Sequence, residues 1–179
     1  MSDVDLLALH DGAVTEVQRL IEGVAADQLD APTPDADWNV QSLIGHLIAG
    51  NRRFAAAAKG ESLMPLIGDI ASDHDGAAYA ESAGEATVAW SDPAALAQDN
   101  SAMSLTVHSA EAVMHGWDLA RATGQTATFD DDLLAEIESF GRQNMPAERP
   151  AEMGFGPARE APADASRLDR LAAFYGREV

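Results

Sequence analysis

Apolar residues recur every three or four positions through most of this chain, which is the period of a helix lying on a core. Leu6, Leu7, His10, Val14, Val17, Leu20, Ile21 and Val24 trace one such face and predict a helix over residues 3–25. Ala-Pro-Thr-Pro-Asp, within residues 26–37, breaks the pattern and reads as a connection. Asn39 is a fitting N-cap for a second helix running to Lys59, with Gly60 as its stop. Trp38 before the cap and Leu43 after it have the spacing of a hydrophobic staple.

Pro65, Gly68, Asp69, Asp73 and Asp75 mark residues 60–75 as a loop, and the Ala-rich stretch 77–90 is a weaker helix. Asp92-Pro93 is a cap followed by a first-turn proline, and Gly124 closes the segment it opens. Asp99, Asn100 and Ser101 interrupt that segment, so its long helix can begin near Ser101. A further helix is predicted over 131–143, irregular chain over 145–162, and a short helix over 167–175 that packs Leu168, Leu171 and Phe174 onto the body. No repeat or long linker divides the chain, so residues 1–179 are expected to form one domain. The element pattern predicts an all-α fold, an antiparallel four-helix bundle with a C-terminal extension.

Composition sharpens this picture. The 30 acidic against 11 basic residues give a formal net charge of −19, which repels phosphate backbones and anionic membranes alike. Neither nucleic acid nor membrane is expected as a partner. No stretch is long and apolar enough for a membrane span, and the N-terminus lacks a basic, then apolar, leader, so a cytoplasmic protein is expected. There is no cysteine, so any sulfur chemistry must use a small-molecule thiol.

The candidate chemistry lies on two helices. Gly45-His46-Leu47-Ile48-Ala49-Gly50-Asn51-Arg52-Arg53-Phe54 carries His46 on the second helix. Glu111 and His115 sit one turn apart on the long helix and share a face. Two imidazoles and a carboxylate from facing helices form a three-ligand divalent-metal site with open coordination positions. The bland reading of His46 alone, among Leu43, Ile44, Leu47 and Ile48, is a hydrogen-bonded core histidine. His108 shares the Glu111 stripe but lies seven residues, or ~10.5 Å of helix, from His115, too far for both to ligate one ion easily. Spacing therefore leaves two sets open, His108 with Glu111 or Glu111 with His115.

Arg53 is two turns from His46 on the same face and suits a carboxylate of substrate or cofactor; its bland reading is a surface salt bridge. Asp118 follows His115 by three residues and either orients that imidazole or pairs with Arg121. Arg53 and Asp118 are thus the catalytic candidates, with Arg53 also the cofactor-binding one. His10 and His74 receive no role. A glycine-rich phosphate loop, a His-Glu-x-x-His run and a nucleophile elbow are all missing, and Gly-Phe-Gly-Pro at 154–157 lacks the strand–turn–helix setting of a dinucleotide site.

At these residues nearly the whole chain resembles the actinobacterial branch of the DinB/YfiT-like superfamily and the N-terminal metal-binding domain of mycothiol-dependent maleylpyruvate isomerase. The resemblance is carried by Trp38-Asn39-Val40 through His46, by Asn51-Arg52-Arg53-Phe54, and most specifically by His115-Gly116-Trp117-Asp118-Leu119-Ala120-Arg121-Ala122-Thr123-Gly124. Phe155-Gly156-Pro157 and Leu168-Asp169-Arg170-Leu171-Ala172-Ala173-Phe174 extend it. It implies a DinB-like bundle holding zinc or nickel on His46, Glu111 and His115. The stretch between Asp92 and Ser104 is shorter than in relatives, so the pocket rim differs and the substrate is not carried over.

The expected activity is that of a mycothiol-dependent transferase or isomerase, in which a metal-held thiolate attacks a small electrophile. The alternatives are a metal-dependent hydrolase, which needs no thiol, and a non-catalytic bundle that binds a metal or small ligand. The partners expected are a small-molecule thiol and a small electrophilic substrate, with a homodimer as one assembly option.

Overall fold

The computed structural model describes residues 5–35, 38–61, 75–146, 149 and 155–179. Within them the chain is helical, with no strand beyond a single bridge between Pro32 and Asn39. The first helix, α1, spans Leu6–Glu22 and is capped by Asp5, whose carboxylate accepts from the Ala8 amide. A 3₁₀ turn at Ala26–Gln28 leads towards α2, Val40–Ala58. The expected cap is in place, with Asn39 accepting from the Ser42 amide at 2.9 Å. The helix α3 spans Gly76–Trp90, and the single-turn α4, Pro93–Leu96, starts behind Asp92 as its cap–proline pair requires. The longest helix, α5, runs Ser101–Thr123, so the polar trio at 99–101 does interrupt the segment. Gly124 closes it in the left-handed region at φ 71°, where a Cβ would be strained. Helices α6 (Asp131–Asn144) and α7 (Arg167–Phe174) complete the set. The expected loop at 60–75 and His74 lie mostly or wholly outside the described residues, as does the expected start of α1 at residue 3.

Periodicity explains the packing. Helix α2 packs on α3 and α5, and α1 packs on α5 and α3, while α6 leans on α5 and α7 on α6. The main core is built of Val17, Leu20, Leu43, Ile44, Ile48, Val113, Met114, Leu119, Leu133 and Ile137, all buried. Truncating a leucine, isoleucine or methionine of this set to alanine costs about 2–5 kcal/mol. A second, smaller cluster lies further along α2 and holds Phe54, Trp90 and Leu105. There the Trp90 indole donates to the Phe54 carbonyl at 2.8 Å. Among the described residues no helix is long and apolar enough to cross a membrane.

The C-terminal segment ties back onto this body. Asp169 accepts from the Trp117 indole at 2.9 Å and from Arg121 at 3.1 Å. Gly176 adopts φ 94°, and a Cβ there would stand 2.7 Å from the Gly156 Cα. This backbone approach, open only to glycine, turns the last residues inward and buries Arg177.

Candidate metal centre

Residues four apart on a helix share a face, and so do residues seven apart. On α5 that rule aligns His108, Glu111 and His115 on the side turned towards α1 and α2. His46 approaches from α2, and its ring centroid lies 5.0 Å from that of His115, the planes crossing at 78°. Both imidazoles are buried. Trp38 stacks on His46 at 4.2 Å and tilts against His115 at 5.3 Å, so the residue before the α2 cap closes over both imidazoles.

His115 is held from behind. Its Nδ1 lies 3.2 Å from Asp118 Oδ2, and the carboxylate in turn accepts from Arg177, from Nε at 3.0 Å and from Nη2 at 2.8 Å. Burial pushes the Asp118 carboxyl up, but the bonds from His115 and Arg177 outweigh it and hold the group below its ordinary value. An ionised carboxylate only accepts, so His115 Nδ1 carries a proton towards Asp118. The expected alternative, Asp118 paired with Arg121, is not what forms. Arg121 reaches Asp169 instead, because α7 brings that carboxylate alongside the last turns of α5.

Arg177 also donates to Asp35 Oδ2 at 3.0 Å. Asp35, His115 and Asp118 have donor atoms that all lie within 4.8 Å of one another, a candidate metal-holding group, and the one such group among the described residues. Arg177 already supplies the positive charge these two carboxylates need. Sequence reading missed both Asp35 and Arg177. Their separation along the chain hides them, and the glycine before Arg177 was the available signal.

Glu111 lies one turn before His115 on α5. Burial raises its carboxyl above the ordinary value, and His115 and Arg53 offset only part of that. Its Oε2 faces a gap beside Gly50, where a Cβ would stand 3.8 Å from Glu111 Oε2 and 3.9 Å from both Arg53 Nη2 and His108 Nε2. Arg53 thus lines an interior space with Glu111 and is half-buried, rather than an exposed surface cation. His108 keeps its Nε2 on the Glu111 side, and its other nitrogen is engaged elsewhere. Its Nδ1 is 2.8 Å from His10 Nε2, and its ring stacks on Phe54 at 4.1 Å.

A helical protein with a buried imidazole pair and an adjacent carboxylate between two of its helices is the class defined by this geometry. The sequence profile of the mycothiol maleylpyruvate isomerase N-terminal domain matches residues 10–94, the part of the chain that carries His46 and Arg53. Two uncharacterised proteins from two strains of Mycobacterium tuberculosis are each 30% identical over 183 residues, covering 98% of this chain and 100% of their own length. The chain belongs to this DinB-like family of mycothiol maleylpyruvate isomerase N-terminal domains. No solved structure is significantly similar to it.

Proposed function

We propose that His46, Glu111 and His115 hold a divalent metal ion, zinc or nickel, and that the protein is a mycothiol-dependent transferase or isomerase acting on a small electrophile. The observation that carries this reading is the His46–His115 pair, 5.0 Å apart and nearly perpendicular, with one imidazole fixed by a clamped carboxylate. A carboxylate behind a histidine raises its basicity as a ligand and aims its free nitrogen. His108 has an imidazole rather than a carboxylate in that place, which favours His115 over it as the partner of Glu111.

Asp35 and Asp118 are less suited as direct ligands, because a cation there competes with Arg177 for the same oxygens. Their role in this reading is to fix His115. The ion supplies one thing, the deprotonation of a thiol whose free pKa is ~8.5. The remaining work belongs to side chains. Arg53 offers a forked, permanently charged donor to a carboxylate on thiol or substrate. Trp38 covers His46 and keeps water from that side. The chain has no cysteine, so the nucleophilic sulfur must arrive with the small molecule.

Metal content of untagged protein by ICP mass spectrometry tests the centre. About one ion per chain, lost in a His46→Ala, His115→Ala double variant but kept in Asp35→Asn, supports it. Loss in Asp35→Asn with retention in a His46→Ala single variant moves the site to Asp35, His115 and Asp118. Turnover of small electrophiles with and without added thiol then separates transfer from hydrolysis, since hydrolysis needs no thiol.

A further inference from the structure

The mechanism above leaves one buried pair unused. His10 on α1 and His108 on α5 are hydrogen-bonded at 2.8 Å, although 98 residues separate them. Both are buried. The other nitrogen of His10, Nδ1, lies 3.4 Å from Asp11 Oδ1, which also accepts from the Thr87 hydroxyl at 3.2 Å. When both rings are neutral, these partners assign the protons of the pair. The Asp11 carboxylate can only accept, so His10 Nδ1 donates and His10 Nε2 accepts. His108 Nδ1 must then donate, which leaves the lone pair on His108 Nε2.

That lone pair faces a cavity of about 140 Å³. Phe54, Met103 and Val107 form much of its wall, with Arg53, His108, Glu111, Asn100 and Ser104 supplying polar groups. Phe54 is itself sandwiched, stacked on His108 at 4.1 Å and on Trp90 at 4.7 Å, so the His108 ring is fixed in plane. Met103 and Val107 are among the few large apolar side chains left exposed. An apolar cavity near 150 Å³ is large enough to hold a benzene-sized molecule. Burial, with His10, Arg53 and His46 nearby, holds the His108 pKa well below its ordinary value and keeps the ring neutral.

We infer that this cavity is a binding pocket for a small, flat, apolar molecule carrying one hydroxyl or thiol, with His108 Nε2 accepting its hydrogen bond and His10 acting as the positioning residue that fixes the acceptor tautomer. The inference does not depend on a metal at His46, Glu111 and His115, and its test uses protein treated with chelator.

Phenol and benzene are the probes, titrated by calorimetry or ligand-observed NMR near pH 7, where phenol is protonated. The readout is the ratio of their affinities. In the native protein both bind and phenol binds more tightly. In His108→Phe, which keeps an aromatic ring on Phe54, benzene still binds and the phenol advantage falls about tenfold. His10→Leu removes the acceptor for His108 Nδ1 and lowers the ratio as well. His10→Gln, whose carbonyl can still accept, retains it, and long-range nitrogen–proton spectra of that variant still show His108 protonated at Nδ1. The inference fails if neither probe binds, or if the ratio is the same in native protein and His108→Phe, which makes another group such as Glu111 the acceptor. It also fails if the ratio is unmoved in His10→Leu.

Discussion

Two imidazoles on one face of α5, seven residues apart, are tied down at the same ring nitrogen by different partners. His115 Nδ1 meets Asp118, a fully buried carboxylate gripped by Arg177. His108 Nδ1 meets His10, a second imidazole with only a partly exposed carboxylate behind it. Each arrangement engages Nδ1, but the group behind it differs. An anion behind the ring makes a strong metal ligand, whereas an imidazole behind it makes a weaker one. One helix face thus carries two kinds of histidine chemistry, with Glu111 between them.

The largest expected effect comes from breaking the charged end. Arg177→Met leaves Asp118 buried without its partner and costs about 3–5 kcal/mol, measured as a shift in the urea unfolding midpoint. A loss under 1 kcal/mol would mean that solvent reaches Asp118 and the His115 end is not rigid.

Metal binding gives the next effect. Zinc at a hundredfold excess over its Kd raises stability by about 2.7 kcal/mol. His115→Ala abolishes the gain in thermal unfolding, and His108→Phe does not. An equal loss in both variants would erase the distinction between the two ends.

At the His108 end the cost is smaller. His10→Leu strands the His108 Nδ1–H in the core and costs about 1–3 kcal/mol by the same urea measurement. A neutral outcome would show that His108 finds another acceptor.

The smallest effect concerns pH and calibrates both ends, because it lies away from either histidine. Burial pushes the Asp169 carboxyl up, but the Trp117 indole, Ser166 and Arg121 together hold it below its ordinary value. A depressed carboxyl pKa contributes stability above its unfolded value near ~3.9, and that contribution disappears as pH falls through the folded value. Asp169→Asn therefore destabilises the protein at pH 7, and the difference from the native chain shrinks steadily below pH ~4, read from unfolding curves across that range. A difference independent of pH would assign the Asp169 contribution to packing alone.

Much of the fold was legible because its signals are local. Asn39, Asp92-Pro93 and Gly124 act within a turn of their own positions, so cap and stop residues marked the boundaries of α2, α4 and α5. The shared face of Glu111 and His115 followed from helix geometry in the same way. Asp118 behind His115 was open from spacing, since a residue at i+3 serves equally for orientation or for an ion pair with Arg121.

What sequence by itself determined is the set of helices and the chemistry carried on each helical face, because both are set by contacts within about one turn. Which faces meet was decided by the tertiary structure. Arg177 reaches Asp118 across 59 residues and Asp35 across 142, and His10 reaches His108 across 98. No local period encodes such pairs. They form because packing the apolar faces of α1, α2 and α5 leaves the polar residues between them desolvated, and each must then find its partner among the few groups the core brings within reach.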